Sequence, residues 1–165
     1  ILLVNLLSDF PMISIATDNV EKEEIENPCV YNNTEIVIMA TFLGIVSTVF
    51  DLLLFSIFRK ESPEILRTAW FIESILTELV LIFSIRTKSF IFKSRSKPSG
   101  IILFLTSLAA ISTFLITFLP IGKNTFGFIP LSYNNLSVIV VVAIGYFITS
   151  ELVKLSIYKN KVKND

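Results

Sequence analysis

The chain is 165 residues long, 53% hydrophobic and 17% charged, and its 14 basic and 14 acidic side chains cancel. Soluble domains carry about 25% charged residues and still leave about 30% of their chain surface wet at this size. A mean hydropathy of +0.73 therefore excludes an ordinary water-soluble core and makes the lipid bilayer the expected partner.

From the first residue, Ile1 to about residue 15 is an apolar run interrupted by Asn5, Ser8 and Asp9 and carrying Pro11. On a helix of 3.6 residues per turn Asn5 and Asp9 are i,i+4 neighbours with Ser8 beside them, so three oxygen-bearing side chains share one stripe. Polar groups at membrane depth are costly and mark functional sites by default. Pro11 removes a backbone donor just past the stripe, which frees a carbonyl to join ion coordination, as in the broken helices of transporters. The run is too short to cross a bilayer alone, and a start in mid-helix without Met is expected to be a truncation.

Residues 16–34 follow as a polar, acidic loop holding Glu21, Glu23, Glu24, Glu26 and Cys29. Four apolar stretches come next, at about 35–58, 68–87, 100–119 and 137–156, each close to the roughly 20 residues a spanning helix needs. The links between them are 59–67, the basic 88–99 and the sparsely charged 120–135, and a basic tail covers 157–165. The pattern predicts an all-α polytopic membrane helix bundle, one partial plus four complete transmembrane helices, forming one domain over 1–165.

Lys and Arg accumulate on the cytoplasmic side of membrane proteins. The 88–99 loop and the tail are separated by two spans, so both are expected in the cytoplasm of a multi-pass cell-membrane protein, and by alternation so is the 16–34 loop. Arg59, Lys60 and Arg67 in the 59–67 link run mildly against this assignment.

Inside the predicted spans lie Asp9, Asp51, Glu73 and Glu78, with no Lys or Arg at mid-span to pair with them. Carboxylates with amide and hydroxyl oxygens nearby suit a hard cation such as magnesium or calcium better than zinc. Asp51 has a plainer role open to it, a hydrogen bond to Ser47 or to a neighbouring helix. Glu73 is expected to snorkel toward the nearer interface, whereas Glu78 at mid-span suits a functional role. Glu151 and Lys154 form an i,i+3 pair expected to be structural, and Trp70, Tyr31, Tyr133, Tyr146 and Tyr158 are expected as interfacial anchors. No His, no zinc pattern, no phosphate loop, no nucleophile elbow and no basic-aromatic face is present, so neither soluble enzyme chemistry nor a nucleic-acid partner is expected.

Asn5-Leu-Leu-Ser8-Asp9-Phe-Pro11 with Ile15-Ala-Thr17-Asp18-Asn19-Val20 resembles the sixth transmembrane helix and following loop of P-type cation-transporting ATPases. Ser47-Thr-Val-Phe50-Asp51, Thr68-Ala-Trp70-Phe71-Ile-Glu73-Ser74, Ile85-Arg86-Thr87, Phe92-Lys93-Ser94-Arg95 and Glu151-Leu-Val-Lys154 are similar to the magnesium-transporting branch. The resemblance implies that the chain is the C-terminal membrane domain, helices six to ten, of such a pump. It implies a metal site of Asn5, Ser8, Asp9 and Glu78 for a transported magnesium or other divalent cation. Its implied partners are the first five helices and the cytoplasmic ATPase domains. The phosphorylated Asp of the Asp-Lys-Thr-Gly-Thr motif is absent from the sequence, so no ATP site and no ATP hydrolysis by the chain alone are expected. A calcium or other cation pump, and a non-catalytic accessory or split-pump subunit, are the rival readings.

Overall fold

A computed structural model describes residues 2–19, 33–87, 89–93 and 96–162. Most of the acidic loop, Tyr31 and Cys29 among it, and the end of the tail lie outside these residues. The order of elements is α1 (Leu2–Ile13), a 3₁₀ turn (Ser14–Thr17), α2 (Asn33–Phe58), α3 (Pro63–Ile85), a 3₁₀ turn (Ile91–Lys93), α4 (Gly100–Phe118), the short α5 (Pro120–Phe126) and α6 (Tyr133–Val162). No strand occurs among the described residues. Four helices, α2, α3, α4 and α6 as far as Tyr158, are long and apolar enough to cross a membrane, with a shorter apolar segment at Leu2–Thr17.

Local chemistry explains several boundaries that apolar patterning alone misplaces. α3 begins at Pro63, five residues earlier than the apolar run, because Ser62 caps it by accepting from the Ile65 amide at 3.3 Å and proline suits a first helical turn, where no amide donor is needed. Ser99 caps α4 in the same way through the Ile102 amide at 3.3 Å. The expected 120–135 connector contains α5, which starts on Pro120 and stops at Gly127. That glycine adopts φ +67°, the left-handed cap that a side chain resists. A Cβ there would also run into Arg67 Nη1, the same atom that donates to the Phe126 carbonyl at 3.2 Å.

α3 is the central helix. It packs against α1, α2, α4 and α6, while α6 also packs on α2 and α1 on α4. Ten of the 23 residues of α3 are buried, against only Leu43, Leu54 and Phe58 of the 26 in α2. The core runs along α3 through Ala69, Ile72, Ile75 and Ile82, with Ile102 of α4 and Ile139 of α6 closing on it. Large apolar side chains such as Leu52, Phe104 and Leu152 point outward instead, the inverse of a soluble protein and the arrangement that lipid rewards. Buried hydroxyls are satisfied within their own helices: Thr77 donates to the Glu73 carbonyl at 3.0 Å, Thr106 to Ile102 at 2.7 Å and Thr113 to Ala109 at 2.8 Å. Such back-bonding meets the requirement that no polar group go unpaired in hydrocarbon.

Candidate cation site

α1 continues through Pro11, which is buried. Proline has no N–H, so the Leu7 carbonyl one turn earlier lacks its helical donor. Around that gap stand the polar residues of the stripe. Ser8 is buried and its hydroxyl donates to the Val4 carbonyl at 3.1 Å and more loosely to the Asn5 carbonyl at 3.4 Å. α1 packs on α3, which carries the half-buried Glu78, and the electrostatic influence of Asp9 and Asp51 reaches Glu78.

Of the four residues expected to hold metal, Asn5, Ser8 and Asp9 lie on α1 and Glu78 on α3, two helices that pack on each other, with Ser8 buried on α1. Asn5 and Asp9 are both exposed on α1, with Asn5 one turn before Asp9 and not packed into the bundle. Glu78 Oε2 is buried without a hydrogen-bond partner. Among the described residues no three Asp, Glu, Cys or His side chains form a closed metal cage, so amide, hydroxyl and carbonyl oxygens would have to share the coordination.

Glu73 departs from expectation. Counted from Pro63 it is the eleventh of 23 residues, so it sits at mid-helix, and it is only 1% exposed. It does not snorkel. Its carboxyl lies beside that of Asp51 on α2, and its Oε2 has no partner. Asp51 bonds a neighbouring helix, accepting from Trp70 Nε1 at 2.9 Å, so Trp70 holds a half-buried acid as well as stacking on Phe55. Tyr146 is likewise no interfacial anchor. It is the fourteenth of the 30 residues of α6, 2% exposed, packed edge-on against Phe50 with ring centroids 5.7 Å apart, and it faces Glu73, Glu78 and Asp51. Sequence spacing had no means to join these residues, since the contact is set by how α2 and α6 dock on α3.

At one end of the bundle the polar groups are fully occupied. The expected Glu151–Lys154 ion pair forms, with Nζ and Oε1 2.6 Å apart and both side chains enclosed. Glu151 Oε1 also accepts from the Ser84 hydroxyl at 2.5 Å, and its Oε2 from the Ile91 amide at 3.1 Å. Lys154 donates further to the Ser84 and Ser89 carbonyls at 2.9 and 3.0 Å. Beside this knot Arg86 Nε bonds Asp18 Oδ2 at 2.6 Å, and Asp18 Oδ1 accepts from the Ser99 amide at 2.8 Å. Burial works to raise the Asp18 carboxyl, but the bonds from Arg86 and Ser99 outweigh it and hold the group below its ordinary value of 3.8. Arg86 reaches on to the Ser96 carbonyl at 2.9 Å, and Ser96 to the Asn19 carbonyl at 2.6 Å. The end of α1, the end of α3, the start of α4 and the last third of α6 are therefore tied together.

Spanning helices with acids buried among them define a multi-pass membrane protein with a polar interior. The chain belongs to the family "Cation transporting ATPase, C-terminus", which matches residues 1–156, and is the C-terminal membrane region of a P-type ATPase. It is 27% identical over 162 residues to "Magnesium-transporting ATPase, P-type 1" of Salmonella typhimurium strain LT2, and 28% identical to the protein of that name from Escherichia coli strain K12. The matches cover 93% of this chain, which spans only 18% of the length of each relative.

Proposed function

We propose that the chain forms part of the membrane domain of an ATP-driven cation pump and contributes part of its ion site, with magnesium as the transported ion. The observation that carries this reading is the buried, unpartnered Glu78 Oε2 on α3, the helix against which the polar stripe of α1 packs. Asp9 and Glu78 supply charge, Asn5 and Ser8 supply neutral oxygens, and the Leu7 carbonyl left free by Pro11 is a further ligand. Magnesium favours six oxygens, dehydrates reluctantly and keeps several waters. An incomplete cage that leaves room for water on the exposed side of Asp9 suits that habit. The names of the relatives favour magnesium over calcium.

The chain has no residues for nucleotide binding or phosphorylation in its sequence, so ATP hydrolysis falls to cytoplasmic domains of the same pump, and its remaining helices complete the ion site. Residues 16–34, 88–99 and the C-terminus face the cytoplasm in this reading. That the 18–19, 84–99 and 151–154 segments are bonded together at one end supports placing them on one side, and the basic loop and tail favour the cytoplasm for it.

Magnesium uptake by the full-length pump, in cells lacking their own uptake systems, tests the assignment. Asp9→Ala and Glu78→Gln abolish growth on low magnesium while the protein still reaches the membrane, and Asn5→Ala weakens it. Uptake undiminished in Asp9→Ala overturns the site, and calcium uptake in place of magnesium overturns the ion.

A further inference from the structure

The function above makes no use of Asp51 and Glu73. They approach one another from α2 and α3 at the middle of the bundle, with Glu73 99% enclosed by its 1% exposure. Asp51 bonds Trp70 of α3 at 2.9 Å, and Trp70 and Glu73 are i,i+3 neighbours on that helix, so the two carboxyls share the α2–α3 contact. An ionised carboxylate only accepts hydrogen bonds, so two carboxyl groups bond to each other only through a proton that one of them carries. Trp70 Nε1, a donor only, occupies Asp51 Oδ1 at 2.9 Å and orients Asp51 as an acceptor. Glu73 Oε2 is buried with no partner of any kind.

Among the described residues no cation acts on the pair. The charged groups acting on Glu73 are Asp51 of α2 and Glu78 of α3 itself. From α6 the titratable group facing the pair is the Tyr146 phenol, and on α1 the ionisable side chain is Asp9, which acts on Glu78. α4 has no ionisable residue between Gly100 and Phe118. Lys154 and Arg86 are committed to Glu151 and Asp18 at the far end of the bundle. Among the described residues no third Asp, Glu, Cys or His joins the pair in a group that could hold a metal ion, so the pair matches a proton better than a metal ion.

We propose that Asp51 and Glu73 hold one exchangeable proton between them, forming a proton-binding site inside the membrane separate from the Asn5–Ser8–Asp9–Glu78 stripe. On binding, a proton from hydronium forms one O–H bond on Glu73 and a hydrogen bond to Asp51, and the charge of the pair falls from two negatives to one. On release the O–H bond breaks and water takes the proton. Asp51 is only half-buried, so exchange need not wait for the whole core to open. The site rests on the geometry of α2 and α3 and not on the identity of the transported ion, so it stands or falls apart from the magnesium reading.

Infrared spectroscopy of the purified full-length protein tests it, in a maltoside detergent that has no carbonyl of its own. The expected spectrum contains a protonated-carboxyl C=O band that shifts down in D₂O. This band disappears in Glu73→Gln and changes frequency or disappears in Asp51→Asn, while the spectra of Asp9→Asn and Glu78→Gln retain it. A band unchanged in both Glu73→Gln and Asp51→Asn overturns the proposal. So does a wild-type protein with no such band at any pH, or with a band indifferent to D₂O, and these two outcomes need no variant to fold.

Discussion

Two groups of buried acids share one helix bundle and are treated in opposite ways. At the closed end, both oxygens of Glu151 have donors, Lys154 has three acceptors, and Asp18 is bonded by Arg86 and a helix amide. At mid-bundle, Glu73 and Glu78 each keep a buried oxygen without any donor, and the charges around them are acids. A carboxylate with a donor on each oxygen leaves no buried atom orphaned, so the closed end is structural. An unsaturated one at membrane depth is tolerated only where something transient completes it. Occupancy of the oxygens, more than burial or charge, separates the two groups.

Breaking the closed end shows the largest expected effect. Lys154→Met leaves Glu151 buried without its cation, at a cost of about 3 to 5 kcal/mol, read as a fall in the thermal unfolding midpoint in detergent. The paired control is Glu73→Gln, which removes a carboxyl that nothing compensates and leaves that midpoint unchanged or higher. Equal losses from the two substitutions would erase the distinction between the regions.

A middle-sized effect belongs to Asp18. Its folded value is held below the ordinary 3.8, so the unfolded state binds its proton first as pH falls. The stability it contributes, about 2 kcal/mol for bonds to a charged group, is complete above the ordinary carboxylate range. It is lost as pH drops below 3.8 through the depressed folded value. Unfolding curves of wild type and Asp18→Asn therefore differ at neutral pH and converge in acid. A gap that stays constant with pH would show that Asp18 acts through packing alone.

The smallest effect sharpens the comparison from within. Ser84→Ala deletes one donor to Glu151, which still keeps Lys154 and the Ile91 amide, so about 1.5 kcal/mol is lost. Differential scanning fluorimetry on the two proteins resolves a change of that size, and a loss as large as that of Lys154→Met would mean the knot fails as a unit.

The sequence carries the bundle plainly because a spanning helix is a one-dimensional signal: about 20 apolar residues suffice, and all four long helices overlap the stretches that hydropathy picks out. Helix starts are legible where a cap is recognised, as at Ser62-Pro63 and Ser99-Gly100, and they shift where only the apolar run is followed. The stripe on α1 is equally local, three residues within one turn. The acid pair is not. Its members lie 22 positions apart, and Glu73 passes for a snorkelling residue until the start of α3 is fixed at Pro63 and it moves to mid-helix. Arg86 and Asp18 are 68 residues apart, and nothing in either neighbourhood names the other. Pairings of that kind come from docking, which no periodicity encodes.

The bonded end also bears on α1. Asp18 pins the turn after α1 to α3 and α4, so a movement of α1 that keeps those bonds is a tilt about its C-terminal end. With a rise of 1.5 Å per residue, Asp9 stands about 6 Å and Asn5 about 12 Å from Ile13. A given tilt therefore carries Asn5 about twice as far as Asp9. A tilt of that kind would displace Asn5 before Asp9 and Ser8, which stand nearer the pinned turn.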